Sequence, residues 1–203
     1  MKHRRLRRRK ALVVFIDGPV VRLATEQDLE QIAGLYERSF PEHIMVHRGL
    51  LNDPGYLVKR IQSPDEVWAV EECEGTIRGI AALAVIAPVG LGEIERVCVG
   101  QPHRGNGVAG KVCEYLVDQA KELDLGFVEA FARGDQPAMQ RTFEKLGFKV
   151  YGVAPRFEVV HGDRIVREQF VHMGLELKPE TIDEKAMSLI APAQEAYNLM
   201  KRK

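Results

Sequence analysis

Two carboxylates, Glu93 and Glu95, stand two residues apart in a short apolar stretch that continues as Val97-Cys98-Val99. A glycine-rich segment follows them, Arg104-Gly105-Asn106-Gly107-Val108-Ala109-Gly110. Glycine leaves room for close approach and tolerates positive φ, so backbone amides in such a loop can converge on an anion. Helical periodicity begins at Val108, so the unpaired N–H groups and the positive dipole end of a helix point at the same spot. A phosphate or diphosphate is the expected guest. The plainer readings are a surface turn that opens a helix and a pair of solvated strand-end carboxylates.

Two phosphate-binding motifs can be tested on the loop. A P-loop ends in Gly-Lys-Ser/Thr, whereas Gly110-Lys111 is followed by Val112. Gly105-x-Gly107-x-x-Gly110 does satisfy the literal dinucleotide fingerprint. No run of further βαβ units follows, and Glu129 lies inside its strand rather than closing one. Neither motif explains the loop.

The elements that must position these residues can be read from periodicity. Val20 to Ala24 reads as a strand, closed by Thr25 at a T-x-x-D helix start, and Leu29, Ile32, Ala33 and Tyr36 give a helix one buried face. Phe40 to Asn52 is irregular and ends at the Asp53-Pro54-Gly55 turn, before a short helix near Tyr56 to Ile61. Strands are expected over Glu66 to Glu71, Thr76 to Ile86 and Glu93 to Val99. Alternation along the last of these puts Glu93, Glu95, Val97 and Val99 on one face unless a bulge intervenes. A helix over Val108 to Leu123, a strand over Phe127 to Ala132 and a helix from Pro137 to Gly147 come next. The last strands are Phe148 to Val153 and Arg164 to Leu177.

From Val99 to Ala109 the string V-x-x-x-x-R-G-x-G-V-A resembles the acyl-CoA-binding signature Q/R-x-x-G-x-G/A of the GNAT superfamily of N-acyltransferases. Further on, Phe143-Glu144-Lys145-Leu146-Gly147-Phe148 looks like the superfamily's Y-E-K-L-G-F segment, in the right order and at the right separation. The resemblance covers roughly Val20 to Leu177. It implies an α/β (α+β) domain with a mixed, mostly antiparallel sheet splayed between strands four and five and helices on both faces. It also implies acetyl-CoA as donor and no metal. The pantetheine arm would bond to the backbone of Val97, Cys98 and Val99, and the diphosphate would sit on the amides of Arg104, Gly105, Asn106, Gly107, Val108, Ala109 and Gly110. Members often carry a general base at or near the position of Glu93. The Phe40–Asn52 region would flank the acceptor pocket, which makes Glu42, His43, His47 and Tyr56 substrate candidates.

Acyl transfer from a thioester to an amine sets three demands. The amine must be neutral although its free pKa is near ~10.4, so a base or a desolvating pocket is needed. A developing oxyanion needs a donor, for which the Val99 amide or a neighbour is placed. The thiol has a pKa around ~8.5 and needs only modest acid help. Here the sequence departs from the superfamily pattern: Phe143 replaces its usual tyrosine acid, Gln136 its common asparagine and Met139 its common alanine. Phe143 would pack against the thiol end of the donor, beside Gln136, and an acid would come from Tyr151, Tyr115 or water. Met139-x-x-x-Phe143 and the stretch from Val153 through Arg167-Glu168 resemble the β-lysine N-acetyltransferase branch.

With 203 residues and 45% apolar composition, one globular domain is expected, and no apolar run approaches the ~20 residues of a membrane span. The three cysteines show no metal spacing, which fits core thiols in a reducing, cytoplasmic setting. The zero net charge hides an asymmetry, because MKHRRLRRRK holds seven of the 29 basic residues and no acid. Residues 1–15 are expected as a disordered basic tail, since the ALVVFI that follows is too short for an export signal. Residues 16–178 form the catalytic domain in this reading, and 179–203 a helix opened by Thr181-x-x-Glu184. Its stripe of Ile182, Ala186, Leu189, Ile190, Ala193, Tyr197 and Met200 must be covered by the domain itself, the preferred reading, or by a second subunit in a homodimer. The expected activity is acetylation of a primary amine on a small molecule or amino acid, with no membrane or nucleic-acid partner. Rival readings are a CoA-binding regulator without catalysis, suggested by Phe143, and a nucleic-acid-associated protein acting through the basic arm.

Overall fold

The computed structural model describes residues 18–179 and 187–201. Seven strands form one sheet: β1 (Val20–Leu23), β2 (Glu66–Cys73), β3 (Thr76–Ile86), β4 (Leu91–Val99), β5 (Phe127–Arg133), β6 (Lys149–His161) and β7 (Arg164–Glu176). Their spatial order is β1-β2-β3-β4-β5-β7-β6, and every neighbouring pair is antiparallel except β4–β5. The helices are α1 (Leu29–Ser39), α2 (Ile44–His47), α3 (Pro54–Ile61), α4 (Val108–Glu122), α5 (Pro137–Lys145) and α6 (Ala191–Lys201).

Alternating strand residues sort into two cores, one on each face of the sheet. On one face α1 and α3 bury Ile32, Tyr36 and Leu57 against Trp68, Val70, Ile80 and Cys98. On the other, Val112, Leu116 and Phe143 from α4 and α5 meet Leu83, Ile94, Val128 and Met173. Glu71, fully buried on β2, is neutralised by Arg78 at 2.8 Å and by Lys111 of α4 at 3.0 Å. This pair fixes the start of α4 to the sheet.

The sheet is splayed where the resemblance implies. The parallel ladder between β4 and β5 ends at Ile94↔Ala130, and β4 runs on to Val99 without a strand partner on that side. A bulge does intervene in β4: Glu95 pairs with Ala82 and Cys98 with Ile80, so two residues oppose Ala81. Arg96 takes φ 57 there, a left-handed conformation uncommon outside glycine. The bulge overturns the simple parity expectation. Glu93 and Glu95 share a face with Cys98, while Val97 packs into the α4 core on the opposite side.

Three elements differ from the sequence expectation by more than two residues. Phe40 to Asn52 contains a turn of helix, α2, whose first amides are capped by His43 Nδ1 accepting from Met45 N at 3.1 Å. Strand β6 runs to His161 instead of stopping at Val153, because it is the sheet edge and Pro155 is tolerated there. The terminal helix begins at Ala191, and residues 187–190 are not helical. The Thr181 capping box lies outside the described residues. No side chain of α6 is buried, so among the described residues the domain does not cover the apolar stripe.

Candidate active site

The splay opens a cavity of about 590 Å³ between β4 and β5. Glu93, Glu95, Val97 and Val99 line it from β4, and Arg104, Gly105, Gly107, Val108, Ala109 and Gly110 from the loop and the first turn of α4. Gln136, the N-cap residue of α5, and Phe143 close the far wall. The structure thus brings together most of the residues singled out from sequence.

The loop conformation is set by two glycines, Gly105 at φ 81 and Gly107 at φ 75, the latter capping α4. A Cβ on either would meet nothing within 4 Å, so the space beside the amides is open. Arg104 is held beside the cleft by Nε donating to the Val99 carbonyl at 3.1 Å, with its guanidinium over the Phe40 ring. An open, amide-lined cradle at a helix start fits the diphosphate of a nucleotide-bearing donor. Unpartnered strand edge on β4 fits an amide-bearing arm.

Two of the expected residues, Asn106 and Tyr151, fall outside the cavity, and Cys98 keeps the backbone role expected of it. Cys98 turns its thiol away from the cavity, with Sγ against the Leu35 carbonyl at 3.8 Å, and burial pushes its pKa up to about 11. Only its backbone can serve the donor. Asn106 is exposed and does not line the cavity. Tyr151 does not line it either: its ring packs edge-on against Phe127, at the end of β5 away from the splay. Tyr115 is likewise absent from the lining. Neither tyrosine is among the cavity-lining residues.

Both carboxylates are half-buried and held by arginine. Arg156 of β6 donates through one guanidinium nitrogen to Glu93 Oε1 at 2.9 Å and Oε2 at 3.0 Å. Burial raises the proton affinity of Glu93 above the ordinary carboxylate range; Arg156 opposes this and Glu129 adds to it. Glu95 is paired with the neighbouring Arg96, and burial raises its affinity too, against Arg96 and with Glu93. Arg96 is itself stacked over Trp68 and near the buried Glu66, which also binds Arg60. Tyr36, almost wholly buried, donates its hydroxyl to the Arg96 carbonyl at 2.6 Å and so pins the bulge.

The other end of the cavity is apolar and roofed. Tyr36, Phe40, Ile44, Met45, Leu51, Phe131 and Phe170 line it. The β6–β7 hairpin arches over α2, with Val160 N donating to the Glu42 carbonyl at 2.8 Å and His43 bridging Val159. Arg133 ties the roof down, pairing with Glu42 at 3.0 Å and with Glu168 at 2.7 Å. Of the acceptor candidates, His43 lines the cavity, and burial and Arg133 hold its pKa down. Glu42 is occupied with Arg133, while His47 and Tyr56 stand outside the lining. Sequence reasoning missed Arg156, Arg133, Phe131 and Tyr36. They sit on distant strands and helices, and only the fold makes them neighbours.

A family model described as "Acetyltransferase (GNAT) family" matches residues 28–148. The chain belongs to the GNAT acetyltransferase family. It is an acyltransferase, and its acyl donor is acetyl-CoA. No curated protein matches. Among solved structures, an N-acetyltransferase from Staphylococcus aureus Mu50 superposes with a TM-score of 0.68 at 20% identity, covering 79% of this chain and 99% of that one. The yncA protein of Salmonella typhimurium, solved with its cofactor acetyl-CoA, gives 0.69 at 20% identity, covering 82% and 98%. A ribosomal-protein-alanine N-acetyltransferase from Brucella melitensis gives 0.65 at 21%, covering 78% and 99%. At these identities the likeness is one of fold. The β-lysine branch suggested by Met139 and Phe143 finds no support in these matches. Among the described residues no helix is long and apolar enough to cross a membrane, and no cluster of metal-ligating side chains is present.

Proposed function

We propose that the protein acetylates a primary amine on a small molecule or amino acid, with Glu93 as general base. The observation that carries this reading is the position of Glu93 on the splayed strand. It lies on the cavity wall between the glycine loop and the roofed apolar chamber, with its proton affinity raised by burial. Bound acetyl-CoA supplies a thioester carbonyl to the cleft. Glu93 takes the proton from an incoming ammonium, and Arg156 keeps the carboxylate aimed. An amide of β4 beyond the bulge, at Val99 or beside it, donates to the oxygen on which negative charge develops. Phe143, 2% exposed and packed 5.0 Å from Phe148, offers no proton, so the thiolate leaves unassisted or through water.

The chamber supports a small acceptor. The apolar end of the cavity, beside a hairpin that Arg133 ties to Glu42 and Glu168, favours a compact amine over a folded protein surface. The test is a panel of amines, amino acids and amino-terminal peptides, read by release of CoA thiol. Turnover of compact primary amines is expected. Acetyl-CoA binding without turnover of any amine overturns catalysis, and turnover confined to peptides overturns the acceptor class.

A further inference from the structure

Glu93 and Arg156 belong to a closed circuit of side chains, two of which, Glu129 and His172, the acetyl transfer does not itself use. Glu93 and Glu129 are register partners across the parallel β4–β5 ladder, so their side chains leave the same face about 4.8 Å apart along the sheet. Glu129 Oε2 lies 2.9 Å from Nε2 of His172 on β7. The His172 ring stacks on Phe131, with centroids 4.5 Å apart and planes 4° from parallel. Phe131 in turn lies 3.2 Å below the guanidinium of Arg156, which returns the circuit to Glu93. Neither Glu129 nor His172 lines the cavity.

We propose that Glu129 and His172 form a tuning pair that governs when Glu93 holds its proton. The proposal rests on Glu93 being the base. The circuit contains two carboxylates, one permanent cation, Arg156, and one conditional cation, His172. Histidine is the side chain that changes charge between about pH 5 and 8. A positive charge on His172 offsets that of Glu129 and leaves the raised proton affinity of Glu93 to burial, against Arg156. Once His172 is neutral, one negative charge is in excess and Glu93 becomes the stronger base. Solvent reaches His172 first, because its side chain is 32% exposed against 20% for Glu129 and 18% for Glu93. The remaining charged groups near Glu93 are Glu95 and Arg96 on its own strand, with Arg60 of α3 acting on Glu95. Tyr151 of β6 stands beyond His172, its ring 5.6 Å away.

Two substitutions pull in opposite directions, which loss of packing would not do. Glu129→Gln removes a negative neighbour, so Glu93 should titrate lower by roughly 1 pH unit. His172→Gln removes a positive charge one step further off, so Glu93 should titrate higher by roughly half as much. The experiment follows the carboxyl carbon of Glu93 by ¹³C NMR in the donor-free protein, its signal identified by its loss in Glu93→Gln. The acid limb of kcat/KM is recorded in parallel. Opposite shifts of the NMR titration support the tuning pair, and the acid limb should follow them. If the signal titrates as in wild type in both variants, or moves the same way in both, the tuning pair is overturned. Should the NMR shifts appear while the acid limb stays fixed, the pair stands and the assignment of Glu93 as base falls. If His172→Gln does not fold, His172→Phe keeps the stack on Phe131 without a charge and takes its place.

Discussion

The sharpest perturbation is Glu93→Gln. The amide keeps the volume of the carboxylate and still offers one oxygen to Arg156, whose stacking on Phe131 also remains, so the cavity wall should hold its shape. What disappears is the proton acceptor. An alkyl amine with a pKa near ~10.4 is about one part in a thousand neutral at pH 7.4, so a reaction that must wait for the neutral form loses about 10³-fold, or ~4 kcal/mol. A fall in kcat of ~10²–10⁴-fold is therefore expected, the ordinary worth of a general base. Acetyl-CoA affinity, measured by calorimetry, should not change, because the donor cradle lies on the loop and on β4 beyond the bulge. Activity should return about tenfold per pH unit as the medium replaces the base, until the amine is neutral. The measurement is CoA thiol release between pH 6 and 10. Full activity of Glu93→Gln throughout, with loss in Glu95→Gln, transfers the role to Glu95. Full activity of both refutes carboxylate catalysis and leaves desolvation of the amine as the means of activation.

Gly107→Val should weaken acetyl-CoA binding severely, since the new side chain enters open space beside the loop amides; the φ of 75 adds strain of ~1–3 kcal/mol, visible as a lowered Tm. Unchanged affinity by calorimetry in the folded variant would remove the diphosphate from this loop. Phe143→Tyr should change turnover by less than about tenfold, or ~1.4 kcal/mol, because a thiolate leaves readily; a larger gain in single-turnover rate would show that protonation of the leaving group limits the natural enzyme. Gly79→Ala on β3 places a methyl against Val108 Cγ1, the first residue of α4, and should destabilise the fold by ~1–3 kcal/mol in urea titration while raising KM for acetyl-CoA. A wild-type KM would mean that the α4 start does not shift with Val108.

The donor half of the site was readable from sequence because it is local. Glycines at Gly105 and Gly107, the helix start at Val108 and the strand before them are contiguous, so composition and spacing carry the geometry. The acceptor half was not readable. Arg156 reaches Glu93 from 63 residues away, and Arg133 joins Glu42 across 91. The bulge at Arg96 left no mark either, because a non-glycine residue at φ 57 is held by Tyr36 and the β3 register, not by its own preference. Tyr151 was chosen for its chemistry, and only the packing on Phe127 shows that it faces another part of the sheet. Strand β6 runs past Val153 through Pro155 to His161, which an edge strand tolerates and local sequence does not reveal.

The one-residue bulge divides the labour along β4. Upstream of it, the side chains of Glu93 and Glu95 line the cavity; downstream, β4 offers main chain with no strand partner on the β5 side. Substitutions upstream can therefore reshape acceptor choice without disturbing donor recognition, which rests on main chain downstream of the bulge. Laboratory evolution for a new amine should accumulate changes at position 95 and on the β6–β7 roof, keep Glu93, and leave 97 to 110 nearly untouched. Deleting a single residue at the bulge would act on the other half: with regular pairing restored, Glu93 and Glu95 would keep their face, while the main chain downstream would lose its left-handed kink.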